Sequence, residues 1–262
     1  MRWKTFIIGW SLALAALLFA ARRTTAPPSQ TLFSSVVDLT HTVDPHAASQ
    51  SLATGPFTGL ITVDKNGFFE RSMRVPRHFA TSIEAPAASQ PGRWSVDQIP
   101  PDHLLGPLVV LDVAAKAGGN PDYQVSLDDI ALWEQVNGQV PPGAVVIART
   151  GWEARQGERG REASRYAAWS PDAARFLVEG RSVYALGSDA PALDSGSSSA
   201  APVTRYAAAH NVYALTNVAN LGNAPHNGAV AVVAPTRIEH GAGGPARVLA
   251  LIRVPMNSAP AN

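Results

Sequence analysis

Chemistry in this chain must come from imidazoles, carboxylates and hydroxyls. There is no cysteine to serve as a thiol nucleophile, a disulfide half or a soft metal ligand. One stretch concentrates the candidates: Arg77-His78-Phe79-Ala80-Thr81-Ser82-Ile83-Glu84-Ala85-Pro86-Ala87-Ala88-Ser89. In extended backbone, positions an even number apart share a face, so His78, Ser82, Glu84 and Ala88 line one side. The imidazole of His78 and the carboxylate of Glu84 could there act as an acid–base pair. Each also has a plainer role. His78 suits a hydrogen-bonded loop histidine or a pocket contact, and Glu84 suits an ion pair with an arginine such as Arg77.

The elements that must position this stretch are legible as apolar runs and caps. Residues 35–41, Ser-Val-Val-Asp-Leu-Thr-His, read as a strand running into a loop, and residues 44–59, rich in Ala, Ser, Pro and Gly, read as loop. Strand-like runs at 59–63 and 68–75 flank Lys65-Asn66-Gly67, a hairpin signal. Residues 106–113 form a continuous β-rich run expected at the centre of a sheet, and 144–148 form another. Ser126 caps a helix that Asp128 and Asp129 suit electrostatically, and Ser170-Pro171-Asp172 announces a second helix ending at Gly180. A strand at 182–186 leads into the polar loop 187–194, where Asp189 and Asp194 are expected to cap or turn the chain. A low-complexity loop, a short helix at 203–209 and strands at 212–215, 229–235 and 246–254 complete the chain.

Composition limits the function. Of 262 residues, 46% are hydrophobic, enough for one sizeable core, and 21 basic against 20 acidic residues leave no field to attract nucleic acid. Residues 1–21 carry Arg2 and Lys4 ahead of an uncharged apolar run at 6–21, the layout of a signal peptide or N-terminal anchor. Export, periplasmic or extracellular, is the expectation, with membrane contact only through that anchor. Residues 22–34 read as linker, 35–255 as one domain and 256–262 as tail.

Taken in order, the fragments Asp38-Leu39-Thr40-His41, Trp94-Ser95-Val96-Asp97, Gly106-Pro107, Arg149-Thr150-Gly151-Trp152 and Leu186-Gly187-Ser188-Asp189-Ala190-Pro191 point one way, as do Leu193-Asp194, Asn217 with Asn220-Leu221, and Gly243-Gly244-Pro245-Ala246-Arg247. Over roughly residues 35–255 the chain resembles the cyclase family that includes bacterial kynurenine formamidases, which are arylformamidases, and isatin hydrolases. The resemblance implies an α/β fold, a single cyclase-like domain of mixed β-sheets with flanking helices. It also implies homodimers or higher assemblies, and zinc- or manganese-dependent hydrolysis of amides such as N-formylkynurenine. The family motif His-x-Gly-Thr-His-x-Asp-x-Pro-x-His falls on residues 78–88.

Only His78 survives among its metal ligands. The other three positions hold Ser82, Glu84 and Ala88, Ala80 replaces the glycine, and the family's later His and Glu ligand positions fall on Thr204 and Thr216. Catalytic zinc needs about three protein ligands, so the expectation is no resident metal, with a small molecule or amide as partner in the old pocket. Ligands drawn from His41, His210, His226, Asp189 or Glu239, or an acid–base pair of His78 and Glu84, would keep hydrolysis open. His41, His226 and His240 otherwise read as loop or surface residues. The Gly- and Ala-rich run at 241–246 lacks the helix start that a dinucleotide fingerprint needs.

Overall fold

The apolar runs of the sequence become the middle of one mixed sheet. The computed structural model describes residues 32–42, 58–63, 69–74, 78–155 and 165–253, and every strand and helix in it lies within one compact unit, Phe33–Asn262. In chain order these are β1 (Phe33–Asp38), β2 (Thr58–Val63), β3 (Phe69–Arg74), β4 (Ser82–Glu84), β5 (Leu105–Asp112), α1 (Ala114–Gly119), β6 (Gln124–Val125) and α2 (Leu127–Asn137). Then come β7 (Val145–Arg149), β8 (Ala168–Trp169), α3 (Pro171–Arg175, continued by a π-helical turn at Phe176–Gly180, where the sequence ends this helix), β9 (Ala185–Ser188), α4 (Pro202–Ala209), β10 (Tyr213–Thr216), β11 (Ala229–Pro235) and β12 (Gly243–Arg253).

The main sheet has the order β1-β12-β11-β5-β7-β9-β10-β4, and β12 pairs with β4 as well. That extra pairing closes β12, β11, β5, β7, β9, β10 and β4 into a ring. Strands β5, β7, β9 and β10 run parallel, as buried crossover strands do, and the remaining pairs are antiparallel. Alternation along each strand sorts the core in two. Leu108 and Val110, Val145 and Ile147, and Tyr213 and Leu215 join a cluster drawn from every strand of the ring. Their neighbours Val109, Leu111, Val146, Ala148 and Ala214 pack outward against Ile130, Trp133, Ala173, Val203 and Ala207 of the helices. Full burial of each such aliphatic side chain contributes about 1.5–3 kcal/mol.

The caps act as the sequence suggests. Ser126 Oγ accepts from the Asp129 amide at 3.3 Å while Asp129 accepts from the Ser126 amide at 2.8 Å, and Ser170 Oγ accepts from the Ala173 amide at 3.2 Å. Three strand starts differ from expectation by two residues or more. β1 starts at Phe33, inside the segment read as linker. β9 starts at Ala185, because Ser182 turns the chain with φ 53° and the Tyr184 amide still bonds the Ala144 carbonyl outside the ladder. β12 starts at Gly243, whose φ of 147° and approach to Ile83 leave no room for a side chain: a Cβ would lie 2.3 Å from the Ile83 carbonyl oxygen. The antiparallel pair β2–β3 matches the expected hairpin. Its Asn66-Gly67 turn, Arg77, residues 1–31 with the signal or anchor, and the tail lie outside the described residues. Among the described residues no helix is long and apolar enough to cross a membrane.

Candidate functional site

β4 is three residues long and is held from both sides. Ser82, Ile83 and Glu84 lie opposite Thr216, Leu215 and Ala214 of β10, and opposite Pro245, Gly244 and Gly243 of β12. Ile83 enters the ring cluster, so Ser82 and Glu84 point the other way, onto the face that carries Ala214 and Thr216. The positions on β4 and β10 that the resemblance assigns to family ligands therefore lie opposite each other. What meets there is two hydroxyls: Ser82 Oγ and Thr216 Oγ1 are 2.9 Å apart, at 1% and 3% exposure.

The other positions are committed in the same manner. Thr204, in the first turn of α4, donates its hydroxyl to Asp194 Oδ2 at 2.6 Å. The same carboxylate accepts from the Val203 and Thr204 amides at 2.8 and 2.9 Å, capping the helix as the sequence suggests for Asp194. Glu84 is half-buried and accepts from Ser89 Oγ at 3.0 Å. Ala88 sits in the single turn Pro86–Ala88 and offers no lone pair. His78 is a half-buried turn residue just ahead of β4.

Two anchors hold the surroundings. Asp189, 2% exposed at the end of β9, accepts four bonds: the Thr150 amide at 2.8 Å, Thr150 Oγ1 at 2.6 Å, the Gly151 amide at 2.8 Å and the Trp152 amide at 3.1 Å. Burial pushes its carboxyl above the usual range, against the pull of those donors. The second anchor is Asn217, whose side chain donates to the Ala80 carbonyl at 3.2 Å and whose own carbonyl accepts from Thr81 Oγ1 at 2.6 Å. Ala80 has φ 53°, the left-handed region that a glycine fills easily and that costs an alanine about 1–2 kcal/mol. Thr81 Oγ1 in turn accepts from the His41 amide at 2.9 Å.

The remaining candidates are spread over the surface of the unit. His41 is half-buried, and burial holds its imidazole below the ordinary value, opposed by the charge of Glu153. His210 is exposed, its Nδ1 2.9 Å from the Tyr206 carbonyl oxygen. His226 lines a separate pocket of about 280 Å³ with Lys116 and Asp129, and Glu239 is exposed beside His240. Among the described residues no three His, Asp or Glu side chains gather in a metal-holding group. Zinc and manganese take imidazole and carboxylate, and here the facing donors are two neutral hydroxyls bonded to each other. The Asp189 and Asp194 carboxylates are engaged by backbone amides and threonine hydroxyls. The residues present do not fit the family metal.

Sequence reading alone missed the roles of Thr81, Ser89 and Asn217. Asn217 stood out as a landmark, but its contacts with residues 80 and 81 span more than 130 positions. The hydroxyl pair makes a direct prediction. Ser82→Ala should cost about 1–3 kcal/mol, because the buried Thr216 hydroxyl loses its partner, whereas the double change Ser82→Ala with Thr216→Val should cost less than the single one. A double-mutant cycle by urea denaturation checks this. Equal or additive losses would show that the two hydroxyls do not act together.

Similarity to known proteins follows the same architecture. The isatin hydrolase of Roseibium aggregatum is 28% identical over 224 residues, covering 80% of this chain and 81% of that protein. The solved isatin hydrolase A of Ralstonia solanacearum is 32% identical, with a TM-score of 0.75 over 84% of this chain and 92% of that one. A structure described as a potential metal-dependent hydrolase with cyclase activity shares the fold at a TM-score of 0.66 and 21% identity, over 84% of this chain and 99% of that one. A family model, described as Putative cyclase, matches residues 37–195, more than half of the chain. A ring of strands with β4 wedged between β10 and β12, the ordered landmarks and these likenesses agree, and the chain belongs to the cyclase family.

Proposed function

We propose that this cyclase-family chain keeps the hydrolase-like scaffold, has given up the family's metal chemistry, and binds a small molecule. The observation that carries the reading is the 2.9 Å contact of Ser82 with Thr216, where the family places a histidine and a glutamate. A buried hydroxyl pair satisfies itself. It presents neither the negative charge nor the imidazole lone pair that a divalent ion requires. Export fits the basic and apolar layout of residues 1–21, and assembly into dimers or larger oligomers belongs to the same proposal.

A second reading is favoured by the likeness to isatin hydrolase: metal-free hydrolysis of an amide, with His78 and Glu84 as acid and base. Glu84 is half-buried and bonded by a serine hydroxyl, so its carboxylate is reachable. The two readings separate in one assay. With N-formylkynurenine and isatin as substrates, the first expects no turnover above background. The second expects turnover that His78→Ala and Glu84→Ala each lower by about 100-fold or more. Turnover that both substitutions leave unchanged would remove the acid–base reading.

A further inference from the structure

If the chain is a binder, the ligand needs a place, and the vacated ligand pair is closed: Ser82 and Thr216 are bonded to each other and almost inaccessible. Close by in sequence, but built from other side chains, lies a cleft of about 400 Å³. It is lined by Asp38, His41, Thr42, Thr81, Thr236 and Arg247, with Thr40 and the small side chains of Ala234, Pro245 and Ala246 between them. None of His78, Ser82, Glu84, Ala88, Thr204 or Thr216 lines it.

The cleft is framed by fixed backbone. The Leu39 amide bonds the Val248 carbonyl at 2.9 Å, and Thr40 Oγ1 both donates to that carbonyl and accepts from the Val248 amide. The His41 amide bonds Thr81 Oγ1, and the Ala246 amide bonds the Thr81 carbonyl at 3.1 Å. Leu39 itself is fully buried and pins the segment to the core.

Its chemistry is specific in two respects. The two opposite charges form a two-point ion pair, Arg247 Nε to Asp38 Oδ1 at 2.9 Å and Nη2 to Oδ2 at 2.6 Å, which leaves the cleft without net charge from them. Arg247 has further N–H donors and Asp38 further lone pairs, and Thr42 and Thr236 hydroxyls stand exposed beside them. Both donors and acceptors therefore line the cleft. Among the described residues no Phe, Tyr or Trp lines it, and its planar groups are the His41 imidazole and the Arg247 guanidinium, the latter held in its ion pair.

We propose that this cleft is a binding site for a small uncharged polyol of monosaccharide size, each hydroxyl of which can donate to Asp38 and accept from Arg247 or a threonine. The volume falls within the usual range of small-molecule sites. The proposal rests on the binder reading above, and it moves the ligand from the vacated metal positions to the ion pair at Asp38 and Arg247.

Isothermal titration calorimetry on the full chain with D-glucose, myo-inositol, benzamide and benzoate tests it. The expected result is binding of glucose or inositol that Arg247→Ala weakens by about 10-fold or more and Thr236→Val by a few-fold, with Asp112→Ala, in the separate pocket beside Lys116, unchanged. Thr236 is exposed, so its variant should fold even if loss of the ion pair disturbs the fold. Binding of benzamide or benzoate alone, weakened by Glu84→Ala, would overturn the cleft proposal while leaving the binder reading standing. Absence of binding by all four probes would overturn the cleft proposal, and the binder reading would then be decided by the metal and turnover measurements.

Discussion

Replacing Asp189 with alanine is expected to lower stability by about 4 kcal/mol or more. The carboxylate satisfies three backbone amides and a hydroxyl from residues 150–152, and it is 2% exposed, so little water can replace it. An unsatisfied buried donor costs roughly 1–3 kcal/mol, and the Thr150 amide, the Thr150 hydroxyl and the Gly151 amide lose their partner together, while the Trp152 amide keeps Thr150 Oγ1 at 3.3 Å. For a domain of this size each kcal/mol shifts the melting temperature by about 2–4 °C, which gives a fall of roughly 8–16 °C. Asp112→Ala provides the control. Its ion pair with Arg149 at 2.6 Å is partly exposed, with 29% of the Asp112 side chain and 36% of the Arg149 side chain accessible, and its bond from the Ala114 amide at 3.0 Å is exposed as well, so the combined loss should stay within about 1–2 kcal/mol. Thermal denaturation of the two variants side by side measures both. An Asp189 variant that melts with the control would show that the loop 150–152 is held by something else.

The second large effect is a gain. Substituting the family ligands together, Ser82→His, Glu84→Asp, Ala88→His, Thr204→His and Thr216→Glu, should make the stability of the chain metal-dependent. Without metal this variant should be less stable than the parent, because Ser82 and Thr216 are buried against each other and larger, ionisable groups must enter that space. With zinc or manganese the new donors gain a partner. Binding at about 1,000-fold above the dissociation constant stabilises a fold by about 4 kcal/mol, or again roughly 8–16 °C here. The parent chain should show no comparable shift. A restored variant indifferent to both metals and to chelator would mean that the five positions do not converge, and the register assigned through residues 78–88 would fall.

That register is also where sequence and structure divide most clearly. The sheet was legible wherever a strand is buried on both faces, as in β5 and β7, and wherever a cap stands ahead of a helix, as Ser126 and Ser170 do. β11 matches its expected bounds because an uninterrupted apolar run fills it. β4 was not legible as a strand. Its three residues owe their conformation to partners more than 130 positions away, and nothing local in Ser82-Ile83-Glu84 announces an edge shared by two strands. The late start of β9 has a local cause, the left-handed Ser182, which propensity does not reveal. Asp194 carries a helix cap as its position suggested, whereas the four donors of Asp189 arrive from another loop. For the site, Ser82, Ala88 and Thr204 stand in the sequence where the resemblance expects imidazoles. The closure of Ser82 onto Thr216 needed the pairing of β4 with β10, because only that register sets the two hydroxyls opposite each other.

The claim that the metal chemistry has been given up is tested most directly by elemental analysis of the full chain, expressed with zinc and manganese supplied and purified without chelator. Hydrolysis of N-formylkynurenine and isatin is assayed on the same sample. The account predicts far less than one ion per chain and no chelator-sensitive turnover. Near one ion per chain, together with hydrolysis that a chelator abolishes and added metal restores, would contradict it.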